Sequence, residues 1–195
     1  MMRILLNGSE VGALDDKKGL SDFLEALARE ENRKGRAIAR ILFNGIETNN
    51  WDKMVDEIEI NEIELVTAPI DKLFAETLSD AYDYLARLEQ GLEDIGTNLQ
   101  LGRKREALEL LARAIEGLEW YTQVLQLIIQ SKPGEATNVK ERLNILNGWL
   151  REILGAGERE DYSLLADLLL YELAPEIKRN QKWLEEIIAN LDLKT

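Results

Sequence analysis

The sequence predicts an α+β protein: a small strand-rich part followed by a larger helical part. Three observations predict it. Apolar residues alternate with period two in the first third and recur at three-and-four spacing afterwards. Asn-Gly pairs at 7–8 and 44–45 punctuate the first part as short hairpin turns. Pro69, one of only 3 prolines, stands where the period changes.

Taken in order, residues 2–6 (MRILL) and 9–14 (SEVGAL) flank Asn7-Gly8 and read as a hairpin, because both turn residues tolerate positive φ. Asn7-Gly8-Ser9 also fits a glycosylation acceptor, but the N-terminus carries no secretion signal and the turn reading is preferred. Leu20, Phe23, Leu24, Leu27 and Ala28 fall on one helical face, with Ser21 as N-cap and Gly35 past the end. Residues 36–43 (RAIARILF) form a strand, with Ala37, Ala39 and Ile41 on one face and Ile38, Arg40 and Leu42 on the other. After Asn44-Gly45, residues 46–48 return as a short strand. Asn50 caps one or two helical turns carrying Trp51, Met54 and Val55, and 62–67 (EIELVT) close the part as a strand. This order resembles the β-grasp, or ubiquitin-like, fold, and we take residues 1–68 as a β-grasp-like domain. The carrier proteins of that fold end in a free Gly-Gly tail. Here the last strand runs into Ala68-Pro69-Ile70, so the resemblance does not imply conjugation or sulfur carriage.

Residues 69–195 read as an antiparallel bundle of four helices. Ile70, Leu73, Phe74, Thr77, Leu78, Ala81, Leu85, Leu88, Leu92, Ile95 and Leu99 form the first stripe, with Gly96 and Gly102 bracketing its end. A basic turn, Arg103-Lys104-Arg105, leads into the second helix, 106–130, about 40 Å long. Its buried stripe is expected at Ala107, Leu108, Leu111, Ala114, Ile115, Leu118, Tyr121, Leu125 and Ile128. Trp120, Val124, Leu127 and Ile129 lie outside that stripe and make the second half apolar over most of its circumference. Ser131 to Gly134 (SKPG) break the chain. The third helix carries Val139, Leu143, Leu146, Leu150, Ile153 and Leu154, has Asn147-Gly148 at its middle and ends at 155–157 (GAG). The last is leucine-dense from Tyr162, kinked at Pro175, and finishes on Ile177, Leu184, Ile187, Ile188 and Leu191.

Composition excludes much chemistry. The 195 residues hold no cysteine and no histidine, which removes thiol nucleophiles, zinc-thiolate sites and His-based catalysis. A net charge of −13 disfavours nucleic acid and anionic membranes, and no apolar run reaches the length of a membrane span. No phosphate-cradling glycine motif occurs. Glu106, Glu109, Glu116 and Glu119 share an outward sector and read as solvated charge; without histidine the usual carboxylate-bridged metal site of a bundle cannot form. Glu172 and Glu176 flank Pro175 and read as the solvent-facing rim of the kink. We therefore expect no catalytic residue, no metal and no cofactor.

The remaining hint is assembly. Trp120, Val124 and Leu127, with Trp183 on the last helix, are the candidate partner-binding residues, since a helix apolar all round must be covered by its own chain or by another. The expected function is a non-enzymatic, cytoplasmic, adaptor- or chaperone-like protein that binds a protein partner or self-associates as a homodimer. In size and charge it resembles the small acidic helical secretion chaperones of motile bacteria. The alternative is a bundle that binds a small molecule or effector beside Gly117 and Gly148, helical glycines whose missing side chains leave room near the axis.

Overall fold

Both Asn-Gly pairs make the turns expected of them. Asn7 and Asn44 each take φ 50, with Gly8 at φ 81 and Gly45 at φ 82, the signature of tight turns that match strand twist. They close the hairpins β1 (Met2–Leu6) to β2 (Ser9–Leu14) and β3 (Arg36–Phe43) to β4 (Ile46–Glu47). The computed structural model describes residues 1–15, 19–48 and 59–192; the helical turns expected around Trp51 lie outside them.

The chain divides into two units, Met1–Phe74 and Ala75–Thr195. In the first, β5 (Glu62–Pro69) pairs parallel with β1 and antiparallel with β3, giving a mixed five-stranded sheet in the order β2-β1-β5-β3-β4. Helix α1 (Leu20–Arg33) supplies Leu20 and Leu24 to a core with Met2, Ile4, Phe43, Ile63 and Leu65. The strict alternation expected of β3 fails at one point. A register shift between Ile38 and Arg40 inserts an extra residue, so Ile38 and Ile41 both pack against the core. A bulge flips the phase of a strand, and sequence alternation alone cannot locate it.

Among the described residues five α-helices follow the sheet, where the sequence predicts four. They are α2 (Ile70–Gln100), α3 (Lys104–Ser131), α4 (Ala136–Glu158), α5 (Tyr162–Asp167) and α6 (Ala174–Asp192). The extra one arises at Pro175. Leu168–Leu173 wind as a π-helix between α5 and α6, and the Ala174 N–H reaches back to the Leu169 carbonyl. Pro175 has no N–H and its ring crowds the carbonyl four residues back; a wider turn relieves both constraints. The chain is thus not broken at 173–177: the irregularity sits one turn earlier and α6 starts cleanly. Gly96 does not mark a helix end. It lies inside α2, where an added Cβ would come within 2.5 Å of Leu170 Cγ, so the π segment closes onto α2 at a glycine. Residues 155–157 stay helical as well, and Glu160 at φ 54 makes the turn into α5. None of the described helices is long and apolar enough to cross a membrane.

Candidate functional site: an apolar groove and a buried polar cluster

Helix α3 carries Trp120, Val124 and Leu127 at the i, i+4, i+7 spacing of one flank and Leu108 and Ile115 on another. Its buried side chains are Ala107, Leu111, Ala114, Leu118, Tyr121, Val124, Leu125 and Ile128. Val124 is 3% exposed, so it belongs to the core of its own chain. Trp120 and Leu127 are half-buried. The Trp120 ring meets Tyr84 of α2 edge-on, with centroids 5.3 Å apart, and the Tyr84 hydroxyl lies over Gly117, where any Cβ would overlap it. Gly117 therefore admits a close-packed tyrosine. Gly148 has open space where its Cβ would stand. Trp183 of α6 is buried. Of the four candidate partner-binding residues, Val124 and Trp183 are thus buried and Trp120 and Leu127 half-buried.

The opposite flank of α3 is the apolar one left open. Leu108 and Ile115, expected in the buried stripe, are 39% and 38% exposed. They line a groove of about 680 Å³ with Leu111 and Leu118 of α3, Leu150, Ile153 and Leu154 of α4, and Leu165 of α5. Leu154 stands 63% exposed on its edge. Thr122 and Asn147 are its polar members, and its two charged members, Glu119 and Glu158, are both acidic. Exposed apolar side chains scattered singly need no explanation, but a contiguous concave set marks a place where another surface can be buried.

A second feature was not legible in the sequence. Glu176, expected on a solvent-facing rim, is buried at 3% exposure, and Asn180, one turn on, is fully buried. The Tyr121 hydroxyl donates to Asn180 Oδ1 at 3.0 Å. Asn180 Nδ2 donates to the Glu176 carbonyl at 2.9 Å and to Glu176 Oε1 at 2.8 Å. Arg179 donates through Nε and Nη2 to Glu176 Oε2, both at 2.7 Å. The π segment sets this register: a wider turn just ahead of α6 rotates the following residues relative to a plain α-helix, and Glu176 and Asn180 face inward. The only sequence signal was a carboxylate next to Pro175 among apolar neighbours. Among the described residues no group of acidic side chains has the arrangement of a metal site.

Burial holds the Tyr121 phenol far above its ordinary range, with the Glu176 charge acting in the same direction and the Arg142 charge opposing it. A raised phenol pKa means that the unfolded chain loses its proton first. The stabilisation is complete below about pH 10, the ordinary tyrosine value, and declines as pH rises above it. Chemical denaturation of wild type and Tyr121→Phe between about pH 9 and about pH 11 should show a steeper loss in the wild type, approaching ~1.4 kcal/mol per pH unit at most. Parallel curves would mean that Tyr121 ionises as readily in the folded chain as in the unfolded one.

No curated protein and no solved structure matches the chain. A family model described as a domain of unknown function, DUF8042, matches residues 76–183. That match covers the whole lining of the groove and the whole Tyr121–Asn180–Glu176–Arg179 cluster. More than half of this chain lies within it, and the chain belongs to the DUF8042 family.

Proposed function

We propose that this protein is a non-enzymatic, cytoplasmic adaptor or chaperone-like protein whose helical unit takes an amphipathic helix of a protein partner into the groove between α3 and α4. The observation that carries the reading is the open apolar flank of α3 and α4, with Leu108, Ile115 and Leu154 all more than a third exposed along one concavity. Leu108 to Thr122 span about 20 Å of helix axis, roughly four turns of an incoming helix. A partner helix meets such a groove with apolar anchors at i, i+3, i+4 and i+7. The acidic Glu119 and Glu158 favour a partner with basic residues beside those anchors. We read the first unit as β-grasp-like, which the strand order β2-β1-β5-β3-β4 supports. We read the second as a bundle of four rods, the α5–π–α6 run counting as one.

Ile115→Glu and Leu154→Glu place charge in the groove at exposed positions, so each should keep the wild-type melting temperature within the range of ordinary surface substitutions, about 0.5 kcal/mol. Both should lose affinity for a synthetic Lys-flanked amphipathic helix by about tenfold or more. Fluorescence anisotropy of that peptide, with a Glu-flanked twin as control, measures it. Equal binding of the twins, or binding that survives both substitutions, rejects the groove. A groove of this volume also suits a small lipophilic molecule. That second reading wins if a lipophilic dye, and neither peptide, raises the melting temperature.

A further inference from the structure

The groove has a neighbour on the same helix. An open hollow of about 450 Å³ is lined by Asn147, Leu150, Arg151 and Leu154 of α4. Asn147, Leu150 and Leu154 line the groove as well, so they stand as a ridge between the two concavities, and the exposed Leu154 projects from it. The four residues have the i, i+3, i+4, i+7 spacing of one helix edge. That is the pattern the groove asks of an incoming helix: Leu150 and Leu154 are apolar anchors, and Arg151 is a basic residue beside them. Arg151 is exposed, and its Nε donates to the Asn147 carbonyl of its own helix at 3.1 Å. Among the described residues it makes no ion pair, and neither does Glu158, the exposed acid one turn beyond Leu154.

The glycines of this stretch point the same way. Glycine is unfavourable inside a helix, and at Gly96 and Gly117 the side chains of Leu170 and Tyr84 take the space where a Cβ would stand. At Gly157, which lines the groove, that space is open, and at Gly155 a Cβ would meet the flexible tip of the Arg159 side chain alone. The α4 backbone is therefore bare beside its most exposed leucine.

A surface that carries both a ridge and the hollow to receive it is self-complementary, which is what a two-fold contact between identical chains requires. We propose that the groove is filled by α4 of a second copy of this chain, the two α4 helices running antiparallel across a two-fold axis between Leu154 and Gly155. Such an axis sets Arg151 of each copy level with Glu158 of the other, because the two residues are equally spaced about it. Leu154 of each copy then enters the other's groove beside Gly157. This pairing rests on the groove of the proposed function and names its occupant. The net charge of −13 opposes association at long range, but charges more than about 8 Å apart are screened at physiological ionic strength, which leaves the complementary pairs at the contact.

Sedimentation equilibrium of the full chain, from about 1 to about 200 μM, should show a monomer–dimer equilibrium with a Kd in the micromolar range. Leu154→Glu should weaken the dimer by about a hundredfold. Arg151→Glu and Glu158→Arg should each weaken it by about tenfold, since each sets like charges face to face. The double reversal Arg151→Glu/Glu158→Arg restores opposite charges across the axis and should bring the Kd back to within about threefold of wild type. All three positions are exposed, so circular dichroism should not change; should Leu154→Glu lose its fold, the charge reversals carry the test alone. The Lys-flanked amphipathic peptide should compete and return the wild type to monomer. A wild type that stays monomeric throughout overturns the pairing: if it still binds that peptide, the groove stands with a foreign helix as its occupant, and if it binds none, the groove falls too. A dimer that ignores Leu154→Glu, or a double reversal no better than the single ones, places the contact elsewhere and overturns the pairing as well.

Discussion

Val124→Glu is expected to unfold the helical unit. Val124 is 3% exposed and flanked on α3 by the buried Tyr121, Leu125 and Ile128. Replacing it removes about 1.5–3 kcal/mol of burial and forces a carboxylate into a site closed to water. An unpaired buried charge adds several kcal/mol more, so the total reaches the ~5–15 kcal/mol that holds a whole domain together. Sedimentation and circular dichroism on wild type and variant at the same concentration measure it. The expected pair is a folded wild type and a variant that has lost its helical signal or its cooperative melting. A dimeric wild type with a folded, monomeric variant would instead place Val124 at an interface between copies. Ile115→Glu, five residues from Trp120 on the open flank, provides the contrast: the same new charge in the same helix, with little cost.

Asn180→Leu should cost about 3–5 kcal/mol although it makes the interior more apolar. Asn180 accepts from the Tyr121 hydroxyl and donates twice to Glu176. Leucine leaves a buried phenol without an acceptor and a buried carboxylate held by Arg179 alone. The penalty for stranding such groups exceeds the net worth of the bonds that are lost. Tyr121→Phe removes one hydroxyl and should cost only about 1–2 kcal/mol. The double variant should cost less than the sum of the two, with a coupling of about 0.5–3 kcal/mol, since the residues form one network. Urea midpoints of the four proteins provide the cycle. A loss below about 1 kcal/mol for Asn180→Leu would show that water or Arg142 replaces the missing partner.

By itself the sequence determined whatever depends on a few neighbouring residues or on residue types that are missing. Asn7-Gly8 and Asn44-Gly45 specify their turns because positive φ is a property of those residues. The change of period at Pro69 marks where β5 ends and α2 begins, because the burial period is written into the side-chain order. The absence of histidine and cysteine fixes what chemistry the side chains cannot perform. The tertiary structure alone decided which flank of each helix is covered. Period shows that α3 has a broad apolar surface, but only the fold shows that Tyr84 meets Trp120 on one side while Leu108 and Ile115 stand exposed on the other. The bulge in β3 and the π segment before Pro175 each shift a register, and the side chains beyond them turn to faces that counting residues does not predict. Glu176 turned from an expected rim into the buried centre of a network because Arg179 and Asn180 beside it donate to its carboxylate, and Asn180 in turn accepts from Tyr121 on α3, 59 residues from Asn180 in the chain. A polar side chain is stable inside only where such distant partners converge, and that convergence is a property of packing and not of local sequence.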